Sequence, residues 1–396
     1  MHTTELHTGD AAVRESPRPA PATERPIAER AAAAPAIGEV ALVHDYLNQR
    51  GGAERVVLEL AAIWPQAPIY TSLYRPHSTF PEFADRDVRA SVLDRVPVDR
   101  GFRNLFALYP AAFRSLGELD ADVVIASSSG WAHIARSAPR AFHVVYCHTP
   151  ARWLYGGEHL GGARRPSRRA ALVRPVAGWF RRIDRRAAFR ADLYIANSRE
   201  VQRRIRETYG IESTVVHPPV DTERYTPRPR GERLLVVSRL LPYKRVDLVI
   251  RAAARLGLGL DVVGEGPMLG ELRAIAGAGV AFHCAVSSDR LVELLEGART
   301  VCVAGTEDFG LVAVEAQAAG KPVAAHARGG AAETVEDGVT GVLFDAQTEE
   351  GVAAAIVACE RVPCTAEEIA ARAARFGRAA FRRGLLAAIS VGMESR

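Results

Sequence analysis

The sequence predicts an α/β protein built from two parallel-sheet domains that face each other across a cleft. Three observations predict it. Short apolar runs alternate with helical stretches over residues 40–344, the pattern of parallel strands covered by helices on both faces. The alternation occurs twice, interrupted by Pro218-Pro219 and Pro227-Arg228-Pro229. The 396 residues, 48% hydrophobic and 24% charged, suit roughly two domains of ordinary composition. Collagen-like, coiled-coil and wholly disordered chains are excluded, and no apolar run approaches the ~20 residues that cross a bilayer.

Residues 1–38 place Pro17, Pro19, Pro21, Pro26 and Pro35 among Ala and mixed charges, and they read as a disordered tail. That tail lacks the compact apolar core of a signal peptide, so a cytoplasmic location is expected. Order begins with the apolar strand 39–44. Gly51-Gly52 breaks the chain before a helix over 53–63, where Val56, Val57, Leu60 and Ile63 recur at helical spacing. Strands are expected at 68–73, 123–126, 141–147, 193–196 and 213–217, which completes a first domain, 39–222. The second, 223–365, carries strands at 234–238, 260–263, 280–283, 300–304, 322–325 and 341–344, with helices at 246–256 and 311–319. The helical segment 366–396 has no following strand and is expected to return to the first domain.

Charge is distributed unevenly. The net charge is +5, yet between residues 164 and 190 ten Arg face one acid, Asp184, so the rest of the chain is net acidic. Over 174–190, Val176, Trp179, Ile183 and Ala187 fall along one helical stripe, with Arg181, Arg182, Arg185 and Arg186 elsewhere. Two readings stand: a basic amphipathic helix on anionic lipid headgroups, or a stripe packed within the first domain. Phe102, Phe106, Tyr109 and Phe113 offer a second lipid or acceptor surface. Only Lys244 and Lys321 are lysines among 51 basic residues, which marks both as places that suit a compact ammonium. Five scattered cysteines, with no CxxC pair and no His at zinc spacing, support neither a disulfide framework nor a metal site.

Candidate chemistry collects after strands. Glu307 precedes a helix that begins near Phe309-Gly310-Leu311, and Glu315 lies inside it. Free N–H groups and the dipole at that helix start suit a diphosphate, and Gly310 admits it closely. The two carboxylates suit the diols of sugars; the same spacing also fits an acid on a helix dipole plus a surface Glu. Arg239 and Lys244 follow the strand at 234–238, where residues line a ligand crevice and clamp a pyrophosphate, or are simply solvated. Gly264-Glu265-Gly266-Pro267 is half a dinucleotide fingerprint and reads as a tight turn beside a base. In the first domain Gly51-Gly52 sits at the cleft edge, and His148 ends a strand, placed for a sugar hydroxyl or for a structural role. His44 and Asp45 are weaker candidates. No Ser-His-Asp elbow, Walker A sequence or HExxH is present.

These residues resemble glycosyltransferase family 4, the retaining enzymes of the GT-B fold with two facing Rossmann-like domains. Glu307 and Glu315 around Phe309-Gly310-Leu311 resemble its E-x7-E signature, and Ser238-Arg239 through Lys244-Arg245-Val246-Asp247 its donor-phosphate motif. Val263-Gly264-Glu265-Gly266-Pro267 is similar to its turn by the nucleotide. His44-Asp45-Tyr46, Gly51-Gly52-Ala53-Glu54-Arg55, Ser127-Ser128-Ser129, Tyr146-Cys147-His148-Thr149-Pro150 and Ala196-Asn197-Ser198 resemble the branch holding bacterial mannosyltransferases and polysaccharide enzymes. The resemblance implies that Glu315 binds the ribose and Glu307 the donor sugar. Amides at Phe309, Gly310 and Leu311 would touch sugar and diphosphate, and Arg239 and Lys244 neutralise the diphosphate. Gly51-Gly52 would close over it, Gly264-Glu265 would lie by the nucleoside, and His148 would approach the sugar. Two departures are Val303-Ala304-Gly305-Thr306, where Pro-Ser is usual, and Cys284-Ala285-Val286-Ser287, where a Leu-Gly turn is common near the base.

The expected function is retaining transfer of a hexosyl group, mannose first, from a nucleotide diphosphate sugar. The expected acceptor is a cell-envelope glycan or a polyprenyl- or lipid-linked molecule, with no metal and no other cofactor. Glucosyl or rhamnosyl transfer is the alternative on the same scaffold. A basic nucleic-acid-binding protein is the rival class, disfavoured by the missing aromatic RNA-binding motifs. Contact with an anionic membrane at its inner face is a further expectation.

Overall fold

The computed structural model describes residues 37–96, 105, 107–155 and 168–396, and of 168–176 only the helical backbone. Nearly all of the expected disordered tail, together with Phe102, Phe106 and the first Arg of the basic run, lies outside the described residues.

Strands β1 (Val40–His44), β2 (Ile69–Thr71), β3 (Val88–Ala90), β5 (Val123–Ser128), β7 (Phe142–Cys147), β8 (Leu193–Ala196) and β9 (Thr214–Val215) form one sheet, ordered β3-β2-β1-β5-β7-β8-β9. Strands β4 (Glu118–Leu119) and β6 (Arg136–Ser137) form a separate short pair. The second sheet contains β10 (Arg233–Val237), β11 (Leu260–Val263), β12 (Val280–His283), β13 (Ala298–Val303), β14 (Val323–His326) and β15 (Gly341–Phe344), ordered β12-β11-β10-β13-β14-β15. Every pairing is parallel. The expected pair of parallel α/β domains is therefore present.

Central strands β1, β5, β7 and β14 are buried throughout, which is why each reads as a continuous apolar run. Alternate residues serve opposite faces: Ala41 and Val43 join one core, Val40 and Leu42 the other. Edge strand β3, Val-Arg-Ala with two exposed residues, has no such run and escapes sequence reading.

The chain passes between the domains twice. Val220 N–H donates to the Phe376 carbonyl (3.0 Å), and Val220 bridges to Gly377 beside it. Beyond that point helix Arg378–Glu394 lies on the first sheet, where Phe381, Leu385 and Ile389 share a core with Val40, Val144 and Ile195. Their i, i+4, i+8 spacing gives one apolar stripe.

The basic helix, Arg168–Ala188, turns inward only part of the stripe read in the sequence, with Ala187 buried and Ile183 packed against the core but Trp179 outside. Phe180, Asp184, Ala187 and Ala188 are buried, whereas Trp179 is 54% exposed. The reason is polar. Asp184, the single acid of the run, accepts from Tyr155 Oη (2.6 Å) and lies 3.2 Å from His133 Nε2, while Phe180 meets Trp131 edge-on. Among the described residues no helix is long and apolar enough to cross a membrane.

Candidate active site

Each sheet reverses its strand order once, between β1 and β5 and between β10 and β13. Crevices open there, at the carboxyl ends of the strands. The loop after β10 carries Arg239 and Lys244, and the loop after β13 carries Glu307, Phe309 and Gly310. The loop after β1 carries Gly51-Gly52. All of them line one cleft of about 740 Å³ between the domains, together with His148, Gly264, Glu265 and Leu311. Glu315 lines a smaller neighbouring cavity of about 290 Å³ instead.

Local geometry explains the glycines. Gly310, at φ 88°, precedes helix Leu311–Ala318, and a side chain there would press on Ala331 at 3.1 Å. A Cβ on Gly305 would lie 2.7 Å from the Tyr243 carbonyl, so this departure from Pro-Ser lets β13 end directly beneath Lys244. Side chains on Gly264 and Gly266 would strike the carbonyls of Ser238 and Leu240. Leu240 N–H also donates to the Glu265 carbonyl (2.8 Å). The Gly-Glu-Gly turn thus packs directly against the loop that carries Arg239.

Lys244 Nζ bonds both oxygens of Glu307, at 2.7 and 2.5 Å. Arg239 is exposed on the cleft wall, with no ion-pair partner among the described residues. The Phe309 ring is buried and stacks on His217, centroids 5.3 Å apart. His148 Nε2 lies 2.8 Å from Ser127 Oγ, and burial, then the charge of His44, pushes its pKa down to about 4.

Asp45 holds the turn after β5, accepting from Ser129 N, Trp131 N and Ala132 N at 2.6–2.7 Å. That carboxylate is spent on backbone donors. His44 stands 3.8 Å from Glu54, near enough for charge pairing and too far for a hydrogen bond. Burial opposes their charges, but each carries the other: Glu54 raises the His44 pKa and His44 lowers that of Glu54.

Sequence reading missed the cations that join the domains. Arg152 and Arg204, from the first domain, both pair with Asp308, the latter at 2.6 Å, and Ser198 Oγ donates to the Asp308 carbonyl at 2.5 Å. Burial alone would raise the Asp308 pKa, but Arg152, Arg204 and Lys244 outweigh it and hold the carboxyl below its ordinary value. Arg55 Nη1 bonds the nearly buried Glu315 at 2.5 Å, and Glu333 accepts from the backbone of Arg199 and Glu200, each at 2.9 Å. Arg152 stands just beyond Thr149-Pro150, but no spacing reveals a partner so remote in the chain.

Two family models match the chain: Glycosyltransferase Family 4 over residues 50–224, and Glycosyl transferases group 1 over residues 221–377. The D-inositol 3-phosphate glycosyltransferase of Geodermatophilus obscurus is 37% identical over 202 residues, 42% of this chain and 45% of that protein. Its namesake from Mycobacterium avium is 34% identical over 219 residues, 48% and 51% of the two chains. The match thus spans about half the length of these relatives. In fold, Anabaena HepE in complex with UDP-glucose superposes with TM-score 0.67 at 21% identity, over 91% of this chain and 100% of that one. Sucrose-phosphate synthase from Thermosynechococcus elongatus superposes with TM-score 0.62 at 17% identity, over 90% and 98%. The shared architecture is GT-B.

Proposed function

We propose that this chain, which belongs to glycosyltransferase family 4, transfers a hexosyl group from a nucleotide diphosphate sugar to an acceptor held by its first domain, with retention at the anomeric carbon. One observation carries the reading. Arg239, Lys244 and the start of helix Leu311–Ala318 stand together at the switch point of the second sheet, on a cleft that the first domain roofs. Two cations and a row of free amides suit a diphosphate, both as bound ligand and as leaving group.

In this reading Glu307 and the Phe309–Leu311 amides hold the donor sugar, Glu315 the ribose, and Gly264-Glu265 border the nucleoside. Gly51-Gly52 close over the phosphates, and His148 bonds a sugar oxygen. Lys244 exchanges Glu307 for the diphosphate when the donor enters. The acceptor oxygen bonds the anomeric carbon as the bond to phosphate breaks, on the same face, and the acceptor proton passes to a phosphate oxygen. Mannose is the first candidate sugar, with glucosyl or rhamnosyl transfer as the alternative. The acceptor is a cell-envelope glycan or a lipid-linked precursor at the inner membrane face. Arg181, Arg182, Arg185 and Arg186 beside the exposed Trp179 and Phe189 support a peripheral contact with anionic lipid. Flotation with anionic vesicles tests that contact, and failure to float removes it.

Thermal-shift measurements with UDP, GDP, ADP, TDP and their sugars test the donor site. One nucleotide family stabilises the wild type but not Arg239→Ala, by about 2.7 kcal/mol at a hundredfold excess over Kd, read as a raised Tm. No stabilisation by any of them sinks the reading.

A further inference from the structure

A buried run of hydrogen bonds behind the cleft determines which nitrogen of His148 carries its proton. His44 ends β1, Ser127 lies in β5 and His148 follows β7, three adjacent strands. His44 Nδ1 lies 3.0 Å from the Ser127 carbonyl oxygen and 3.2 Å from Ser127 Oγ. A carbonyl oxygen only accepts, so His44 Nδ1 is protonated. Ser127 is fully buried, and its hydroxyl proton needs an acceptor. His44 Nδ1 is excluded because it donates, which leaves His148 Nε2, at 2.8 Å. With Nε2 accepting, the neutral ring holds its proton on Nδ1. Glu54 and Gln49 anchor the far end: Glu54 faces His44 Nε2, and Gln49 Nε2 donates to Glu54 at 2.8 Å.

We propose that Ser127 and His44 are positioning residues that lock His148 as its Nδ1–H tautomer, so that His148 meets the substrate as a hydrogen-bond donor and takes no proton from it. The depressed basicity of His148 agrees, since burial keeps the ring neutral. The catalytic part rests on the transferase reading: with His148 unable to act as base, the acceptor proton is left to the departing phosphate oxygen of that reading. The tautomer itself rests on the bonds alone.

Histidine-selective ¹⁵N labelling of the full chain separates the two. A long-range ¹H–¹⁵N spectrum near neutral pH distinguishes Nδ1–H, Nε2–H and cationic rings, and His148→Gln assigns the signal by its loss. The expected wild-type signal is neutral and Nδ1-protonated, and Ser127→Ala moves it toward Nε2–H. A wild-type ring in the Nε2–H or cationic form overturns the proposal, as does a tautomer unchanged in a folded Ser127→Ala. If that variant does not fold, the wild-type spectrum still decides. In turnover, Ser127→Ala lowers kcat roughly tenfold or more with donor KM little changed, and an unchanged kcat overturns the catalytic part. Absence of wild-type turnover with every nucleotide sugar defeats the transferase reading, while the spectrum still judges the tautomer.

Discussion

Of the two lysines in this chain, Lys244 faces the cleft and Lys321 is fully buried, its Nζ donating to the carbonyls of Arg228 and Pro229 at 2.8 and 2.6 Å. At Lys321 a compact ammonium meets two converging carbonyls in a fully buried space. Lys321→Met leaves two linker carbonyls unpaired and should lower stability by about 1–3 kcal/mol, measurable by urea unfolding. His143 and His148 supply a pH prediction. Burial pushes each folded pKa down to about 4, against about 6.5 unfolded. Between those values the unfolded chain binds protons that the native chain refuses, so stability falls as pH drops from about 6.5 to about 4. His44, raised instead, changes stability above about 6.5 and adds little across this window. Among the described residues His143 Nε2 is buried without a hydrogen-bond partner, so His143→Phe should flatten this acid limb by one proton; Tm across that window checks it. Arg239 and Lys244 were readable as site candidates because they follow a strand, a local rule. Arg152 was not, because only the packing of two domains brings it to Asp308.

Among the elements, the buried strands were readable because parallel sheets demand unbroken apolar runs. The inward face of helix Arg168–Ala188 was readable only in part, since Ile183 and Ala187 share it with a buried Asp184 that hydropathy places outside. Turn chemistry makes the sharper prediction. Ala285, one of the two departures from the family pattern, adopts φ 51°, where a non-glycine residue is strained. Ala285→Gly should therefore raise stability, by about 1 kcal/mol at most once the entropy of glycine is subtracted. Gly264→Ala should do the opposite, because its methyl would displace the Ser238 carbonyl and with it the Arg239 loop. In the proposed enzyme, that variant loses nucleotide-dependent stabilisation together with intrinsic stability, and thermal shift reads both.

At the scale of the whole molecule, the domains are held together largely by charge: Arg152 and Arg204 on Asp308, Arg55 on Glu315 and two backbone amides on Glu333. Removing one partner from a fully buried pair typically costs about 3–5 kcal/mol, and these half-buried pairs carry less because solvent screens them. Asp308→Asn removes the charge that Arg152 and Arg204 share and leaves Arg204 only its Glu200 partner within the first domain, so the cleft should open, seen as a larger radius of gyration by small-angle scattering. An unchanged radius would mean that the remaining contacts suffice.

The last helix carries a different lesson, about the order in which the molecule is made. On the ribosome β1 emerges before the second sheet, yet the core that covers it contains Phe381, Leu385 and Ile389, which emerge only after that sheet. Until then that face of the first sheet is covered only in part, by helix Gly52–Ile63 through Val56, Val57 and Leu60, and the rest exposes apolar surface to association. The second sheet, whose strands all lie between residues 233 and 344, takes its last core residues, Ala373 and Phe376, from the chain just before the last helix, so it can mature while its elder partner stays unfinished. A chain stopped after Gly377 should accordingly yield an aggregating first domain, recoverable when helix Arg378–Glu394 is supplied as a separate peptide. Synthesis runs from the amino end, but completion of this molecule runs partly backwards.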